Sequence, residues 1–371
     1  MRTTDWIAGE LRSAGLTVQS QPWRLRQFFL HECSLTVDGA TVDCFPAWLP
    51  RATGRDPVRA PLAIYREGAD ARSVNGKVAL VKFKAALSES AYYDQALGAV
   101  QAGAVGVLGR LHSASGEVAA VNARAPHNQT PTPVPIVIVA RKDEPMLTRA
   151  AEHGATVSLV IDGKDEPQAE ARNVIGRLDR GNRLVVVSTP QSGWFQCAGE
   201  RGPGIALFLG LARWAGARAS NESYLFVSTS GHELDNLGMH QFMETHAPPP
   251  EDVLCWIHLG ASIAVWQWRR APQGHQRTSE PGIGRHLVCS PDLLPTLTDA
   301  FEDVPGLEPR RGNALGELRH VMDRGYRGFG LFGSHYFFHT RFDTPETTAP
   351  ALLGPVGKAL AESLEDIEGT I

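Results

Sequence analysis

His232 and Glu233, two neighbours able to move protons or bind metal, follow the apolar run Tyr224-Leu225-Phe226-Val227 across the small residues Ser228-Thr229-Ser230-Gly231. Such a run reads as a buried strand, and an open α/β sheet places its chemistry at the carboxyl ends of its strands. The pair nearly spells His-Glu-x-x-His, where two histidines one helical turn apart hold zinc. The fifth position is Asn236, so one turn cannot supply both ligands. No Gly-x-Ser-x-Gly elbow occurs, and Ser228 and Ser230 read as the small residues of a strand end.

The elements that would position this pair are legible around it. Residues 1–25 predict an amphipathic helix carrying Trp6, Ile7 and Leu11, stopped at Gly15, and then a strand. Residues 30–45 predict a hairpin turning at Asp38-Gly39. Pairing Val37 with Ala40 sets Cys33 opposite Cys44, in a hydrogen-bonded pair with wide Cα spacing. A disulfide and two free thiols both satisfy that register. The Pro/Arg/Gly-rich residues 50–61 read as a boundary. Beyond it come a strand at 77–83, a helix at 92–101, a short strand at 104–108, a polar loop at 113–131 and a strand at 134–139. After residue 171, strands at 173–176, 184–188, 224–227 and 253–258 alternate with helices at 202–215, 237–245, 291–302 and 355–367. That alternation implies an α/β sheet covered on both faces. Gly328-x-Gly330-x-x-Gly333 matches a dinucleotide fingerprint in spelling only, since it opens no helix.

At 371 residues the chain exceeds one ordinary core, and two domains are expected. A net charge of −4 gives no reason to expect nucleic acid or an anionic membrane as partner. No apolar run approaches the roughly 20 residues of a membrane span. No signal peptide is visible, which fits a cytoplasmic start or a trimmed exported form. The five cysteines match no zinc ribbon.

Two stretches carry a family resemblance. The strand after Gly76, the turn Ala102-Gly103-Ala104-x-Gly106-Val107 and residues 133–139 resemble a protease-associated domain, a β-rich module placed at 46–165. Around it, the entering helix, Arg172-Asn173-Val174-Ile175-Gly176 and the segment from Tyr336 to Pro345 resemble the zinc aminopeptidase family that includes glutaminyl cyclases, glutamate carboxypeptidase and the transferrin receptor. The resemblance covers essentially the whole chain. It implies a three-layer mixed-sheet zinc-exopeptidase-like domain at 1–45 and 166–371, with the protease-associated domain inserted.

That family holds two zincs, and its pattern falls on this chain with losses. The His-x-Asp motif falls on Thr189-Pro190-Gln191, the bridging Asp on Glu200, the Glu-Glu pair on His232-Glu233, the strand-ending Asp on His258 and the late His on His339. A further family acid near the substrate falls on Glu317. The resemblance implies that Glu200, Glu233 and His339 could still hold one zinc, three protein ligands plus water being a catalytic arrangement. His258 is a further candidate ligand. His232 stands where the general base belongs, and imidazole titrates in the range that role needs. It could equally be a fourth ligand, and His258 could be a satisfied core histidine. The aromatic residues Trp194, Phe195, Tyr336, Phe337 and Phe338 would flank the centre, either to hold an apolar substrate group or to pack the core.

Three expectations follow. The first is a peptide-amide hydrolase of aminopeptidase type with a single zinc and His232 as proton shuttle. The second is an inactive pseudo-peptidase that binds a ligand or partner without metal, its leftover carboxylates paired with Arg201 or Arg341. The third, metal-free acid–base chemistry by His232, His258 and Glu233, has no motif behind it. A small peptide or amide is the implied substrate, and oligomeric state is open.

Overall fold

The structure is a computed structural model describing residues 3–68, 73–83 and 92–369. In chain order the first part comprises α1 (Thr3–Ser13), β1 (Thr17–Val37), β2 (Ala40–Val42), β3 (Cys44–Pro46), β4 (Gly54–Ile64), β5 (Val78–Lys82), α2 (Tyr92–Gln101), β6 (Gly106–Arg110), β7 (Ile136–Val139), α3 (Glu144–Glu152) and β8 (Thr156–Leu178). The second comprises β9 (Leu184–Pro190), α4 (Ala198–Ala217), β10 (Ser223–Thr229), α5 (Leu237–Thr245), β11 (Val253–Leu259), β12 (Trp266–Ala271), β13 (Gly274–Pro281), β14 (Arg285–Cys289), α6 (Leu294–Ala300), β15 (Pro309–Arg310), α7 (Gly316–Asp323), β16 (Gly328–Gly333) and α8 (Leu353–Gly369).

β9, β10 and β11 are buried at every position, as strands covered on both faces must be. β9 runs parallel to β10 and to β11, and β11 parallel to β16. Helices α1, α4, α6 and α8 cover one face through Ile7, Leu11, Phe208, Leu297 and Leu360. Helices α5 and α7 cover the other through Met239, Phe242, Leu318 and Val321. The result is the expected three-layer α/β arrangement with a mixed sheet.

The long strands β1 and β8 pair antiparallel from Thr17↔Arg177 to Val37↔Val157. Through two register shifts they carry the sheet on to β4, β5, β6 and β7 of residues 46–165 and to β3 at its edge. The residue 165/166 boundary expected from sequence thus lies inside β8. The Pro-rich stretch expected as a boundary forms β4, and a register shift between Gly54 and Val58 absorbs Pro57. That shift lets proline lie where a regular ladder would need its missing N–H.

Candidate functional site

Three parallel strands end at one place. β9 delivers Ser188, Thr189 and then Gln191; β10 ends at Thr229, three residues before His232; β11 ends around His258. Asn173 in β8 fixes the loop after β10. Its Nδ2 donates to Gln21 Oε1 at 2.8 Å and Gly238 O at 2.7 Å, and its Oδ1 accepts from Ser230 N at 3.0 Å. At Gly238 a Cβ would lie 2.1 Å from Ser230 O, so only glycine permits this approach.

Helix α4 begins at the centre. Asp343 accepts from Gly199 N at 2.7 Å and Glu200 N at 3.0 Å, so a carboxylate satisfies two N–H groups that the first turn leaves free. Thr347 Oγ1 and His335 Nε2 also reach Asp343 Oδ1, and His335 Nδ1 meets Ser262 Oγ at 2.9 Å. Ser262, His335 and Asp343 have the residue types of a nucleophile triad, but all are buried and serve as the footing of α4. Phe195, Cys197, Asp235, Asn236, Ser262 and His339 all take left-handed backbone conformations in the surrounding loops. Such strain persists where surrounding structure over-determines it, and it clusters at functional sites.

The trio expected from sequence does converge, around an arginine. Arg201 Nη2 lies 2.7 Å from Glu200 Oε1 and 2.8 Å from Glu233 Oε1. Its Nε donates to Ser192 O at 2.6 Å, and Ser192 Oγ donates to Glu233 Oε2 at 2.7 Å. His339 Nε2 stands 3.4 Å from Glu200 Oε1. All four charged or ionisable members are buried. Burial opposes ionisation of Glu200, but Arg201 and then His339 overcome it and hold the carboxyl down to about 2. Burial likewise opposes the charge on Arg201, and Glu200 and Glu233 raise its pKa regardless. The Arg201–Glu200 contact is an ion pair without hydrogen-bond angles, because Glu200 Oε1 and Oε2 both lack a hydrogen-bonding partner, as do Arg201 Nη1 and His339 Nε2.

Zinc does not fit these residues as they stand. It would need about 2.0–2.2 Å to each carboxylate oxygen, and a guanidinium nitrogen already lies between the two. Arg201 also supplies the positive charge that the carboxylates require. Among the described residues, no three His, Cys, Asp or Glu side chains are grouped to hold a metal ion.

His232 and His258 are turned to other partners. His232 Nδ1 lies 3.1 Å from Glu317 Oε1, and Thr229 Oγ1–H sits between both Glu317 oxygens at 2.9 and 2.8 Å. Burial works against the Glu317 charge, yet the His232 bond and the nearby imidazoles keep its pKa below the usual value. His258 Nδ1 meets Ser188 Oγ at 3.0 Å, and Trp256 Nε1 donates to that same oxygen at 2.8 Å. Burial pushes His258 down to about 4 against the pull of Glu317, which makes it a neutral core imidazole at pH 7. Thr189 Oγ1 donates to Leu259 O at 2.7 Å. Arg341 turns outward to Asp43 Oδ1 at 3.0 Å.

The polar loop within residues 113–131 roofs the centre. Ala120 N donates to His339 O at 2.8 Å, and His339 Nδ1 faces Ala120 O at 3.2 Å. Ala123 N donates to Glu233 O at 2.9 Å, and Asn128 Nδ2 to Leu234 O at 3.0 Å. Trp194 Nε1 donates to Asn122 Oδ1 at 2.8 Å, and its ring packs edge-on against Phe45 and Trp48. Nothing in the sequence around Ser192 or Thr229 points to these contacts. Only Asp343 had a signal, its place in Thr340-x-x-Asp343-Thr344-Pro345.

This fold is that of the zinc aminopeptidases. A zinc aminopeptidase from Bacillus subtilis matches with a TM-score of 0.76 and 18% identity, over 98% of this chain and 88% of its own. A Peptidase M28 precursor from Shewanella amazonensis matches with a TM-score of 0.76 and 15% identity, over 99% of this chain and 87% of its own. An aminopeptidase from Aneurinibacillus sp. strain AM-1 matches with a TM-score of 0.69 and 14% identity, over 98% and 87%. No protein-family model matches the sequence, and no curated protein does. At these identities the likeness is one of fold. Among the described residues, no helix is long and apolar enough to cross a membrane.

Proposed function

We propose that this protein is a metal-independent pseudo-peptidase, a binding protein for a peptide-like ligand or a protein partner built on the aminopeptidase fold. The observation that carries the reading is Arg201, whose guanidinium stands between Glu200 and Glu233. A permanent cation there does the electrostatic work of a metal but offers no open coordination position and activates no water. The roof bonds to His339 and Glu233 support the same reading, because they tie residues 46–165 onto the residues a substrate would have to reach. Residues 46–165 would then serve as a fixed cover in the manner of a protease-associated domain.

The test is elemental analysis of protein purified without chelators, together with assays on aminoacyl nitroanilides. The expected outcome is less than about a tenth of a zinc per chain and no amide hydrolysis. Stoichiometric zinc, with hydrolysis lost on chelation and in Glu233→Ala, would instead restore the single-zinc hydrolase. A metal-free hydrolase has one observation in its favour: Glu317 orients the Nδ1 side of the half-buried His232, which leaves Nε2 to take a proton. Hydrolysis that survives chelation and vanishes in His232→Ala would select it.

A further inference from the structure

The clearest chemistry outside this centre is a pair of thiols. Cys33 Sγ and Cys44 Sγ lie 3.4 Å apart, and both are free. The hairpin register explains the meeting, since Leu35 pairs with Val42, Thr36 with Thr41 and Val37 with Ala40. Continuing outward by two residues on each strand brings Cys33 to Cys44. Here the chain divides. Cys33 stays in β1, opposite Ile161 of β8, whereas Cys44 opens β3 and pairs with Val139 of β7. The sulfur contact therefore spans the junction between the long ribbon and the sheet of residues 46–165.

The same junction touches the centre. Arg341, two residues past His339, donates to Asp43 Oδ1 and, at 3.3 Å, to Cys44 O. Phe45 packs against Trp194 and Phe195. Cys33 is half-buried and open to a small oxidant, while Cys44 is buried behind it. The neighbouring Cys33 thiol, and then burial, raise the Cys44 pKa, and the difference in exposure makes Cys33 the thiol that an oxidant meets first.

We propose that Cys33 and Cys44 form a reversible disulfide on exposure to a hydroperoxide, with Cys33 as the thiol that attacks the peroxide and Cys44 as the resolving one. The Cys33 sulfur attacks the O–O bond, giving a sulfenic acid and releasing the alcohol, or water when the oxidant is hydrogen peroxide. The Cys44 sulfur then attacks the Cys33 sulfur. The S–O bond breaks, and the departing hydroxide leaves as water with the Cys44 proton. The two thiols supply two electrons, and these reduce the peroxide bond. The product staples β1 to the first residue of β3 and holds the Asp43–Phe45 segment, on which Arg341 and the aromatic cluster rest.

The test treats the full chain with near-equimolar hydrogen peroxide, removes the peroxide, blocks remaining thiols with an alkylating reagent in denaturant, and maps peptides without reduction. A Cys33–Cys44 linked peptide is expected, with Cys197, Cys255 and Cys289 alkylated as internal controls. The melting temperature should rise by roughly 5 °C on oxidation and return on reduction. In Cys44→Ser, Cys33 should stall as a sulfenic acid that dimedone traps, with no thermal shift. Alkylation of both thiols after peroxide, oxidation of Cys33 to sulfinic acid without a link, or a link to another cysteine would each overturn the proposal. All of these readouts are independent of metal content and of hydrolysis.

Discussion

Two arginine–carboxylate networks occupy opposite ends of the same helix. At the start of α4, Arg201 joins Glu200 and Glu233 with side-chain exposures of 3%, 0% and 8%. Past its end, Arg218 pairs with Glu368 at 2.8 Å with exposures of 24% and 10%, and Tyr224 also bonds to Glu368. Arg218 additionally lies over the Trp214 ring, and Arg180 donates to Ala215 O and Arg218 O at the helix terminus. The chemistry is the same at both ends, and the surroundings differ. Water reaches the second network and screens it. The first is cut off, so each of its charges depends on the others being present.

The largest break in that comparison is Arg201→Ala. It strands two buried carboxylates, and a loss of about 3–5 kcal/mol is expected from a denaturant midpoint. Added zinc should then recover part of the loss in this variant and leave the wild type unmoved, because only the variant frees Glu200, Glu233 and His339 for a cation. Zinc that stabilises the wild type equally would show that Arg201 was never the competitor.

Next comes Thr229→Val, which removes the hydroxyl shared by both Glu317 oxygens at a cost of about 1–3 kcal/mol. Thermal melts of the variant against wild type would read it. An unchanged melt would mean that His232 alone satisfies Glu317.

Acid should dissect the centre in order. His258 is lowered from 6.5 to about 4, so the unfolded chain binds the proton more readily between those values. Its contribution is complete above 6.5 and is lost as pH falls toward 4. Glu200 is lowered from 4.5 to about 2, so its contribution is complete above 4.5 and is lost as pH falls toward 2. Urea midpoints from pH 7 to pH 4 should therefore fall first through the histidine, and His258→Gln should flatten that limb. The smallest effect belongs to the solvent-screened pair Arg213–Glu10, where Arg213→Ala should cost less than about 1 kcal/mol. A larger loss there would erase the distinction between screened and isolated ion pairs.

The parallel strands were readable because continuous apolar runs end in small residues, as at Val227-Ser228-Thr229. The resemblance to the zinc aminopeptidase pattern, laid on that order, then pointed to Glu200, Glu233 and His339. Arg201 was readable only as one of two candidate partners. Sequence cannot say whether an arginine at a helix start turns inward, and here Arg341 went to Asp43 while Arg201 went to the carboxylates. The lengths of β1 and β8 were hidden because their middles form a half-exposed ribbon with many charged and polar residues, which leaves no clean alternation. The β12–β13 hairpin is hidden in the sequence for the same reason, since every residue of its two strands is exposed or half-buried.

The long ribbon has a mechanical consequence. Because β1 and β8 pass through both halves of the molecule, the cover over the centre is cantilevered from a two-stranded beam and does not swing on a free linker. Flexure would concentrate at the two register slips, between Leu25 and Gln27 and between Leu30 and Glu32, where ladder bonding is interrupted. Opening would also have to peel Ala120 from His339 and Ala123 from Glu233 together, so any access to the interior would work against a stiff spring whose bending points are marked in the strand register.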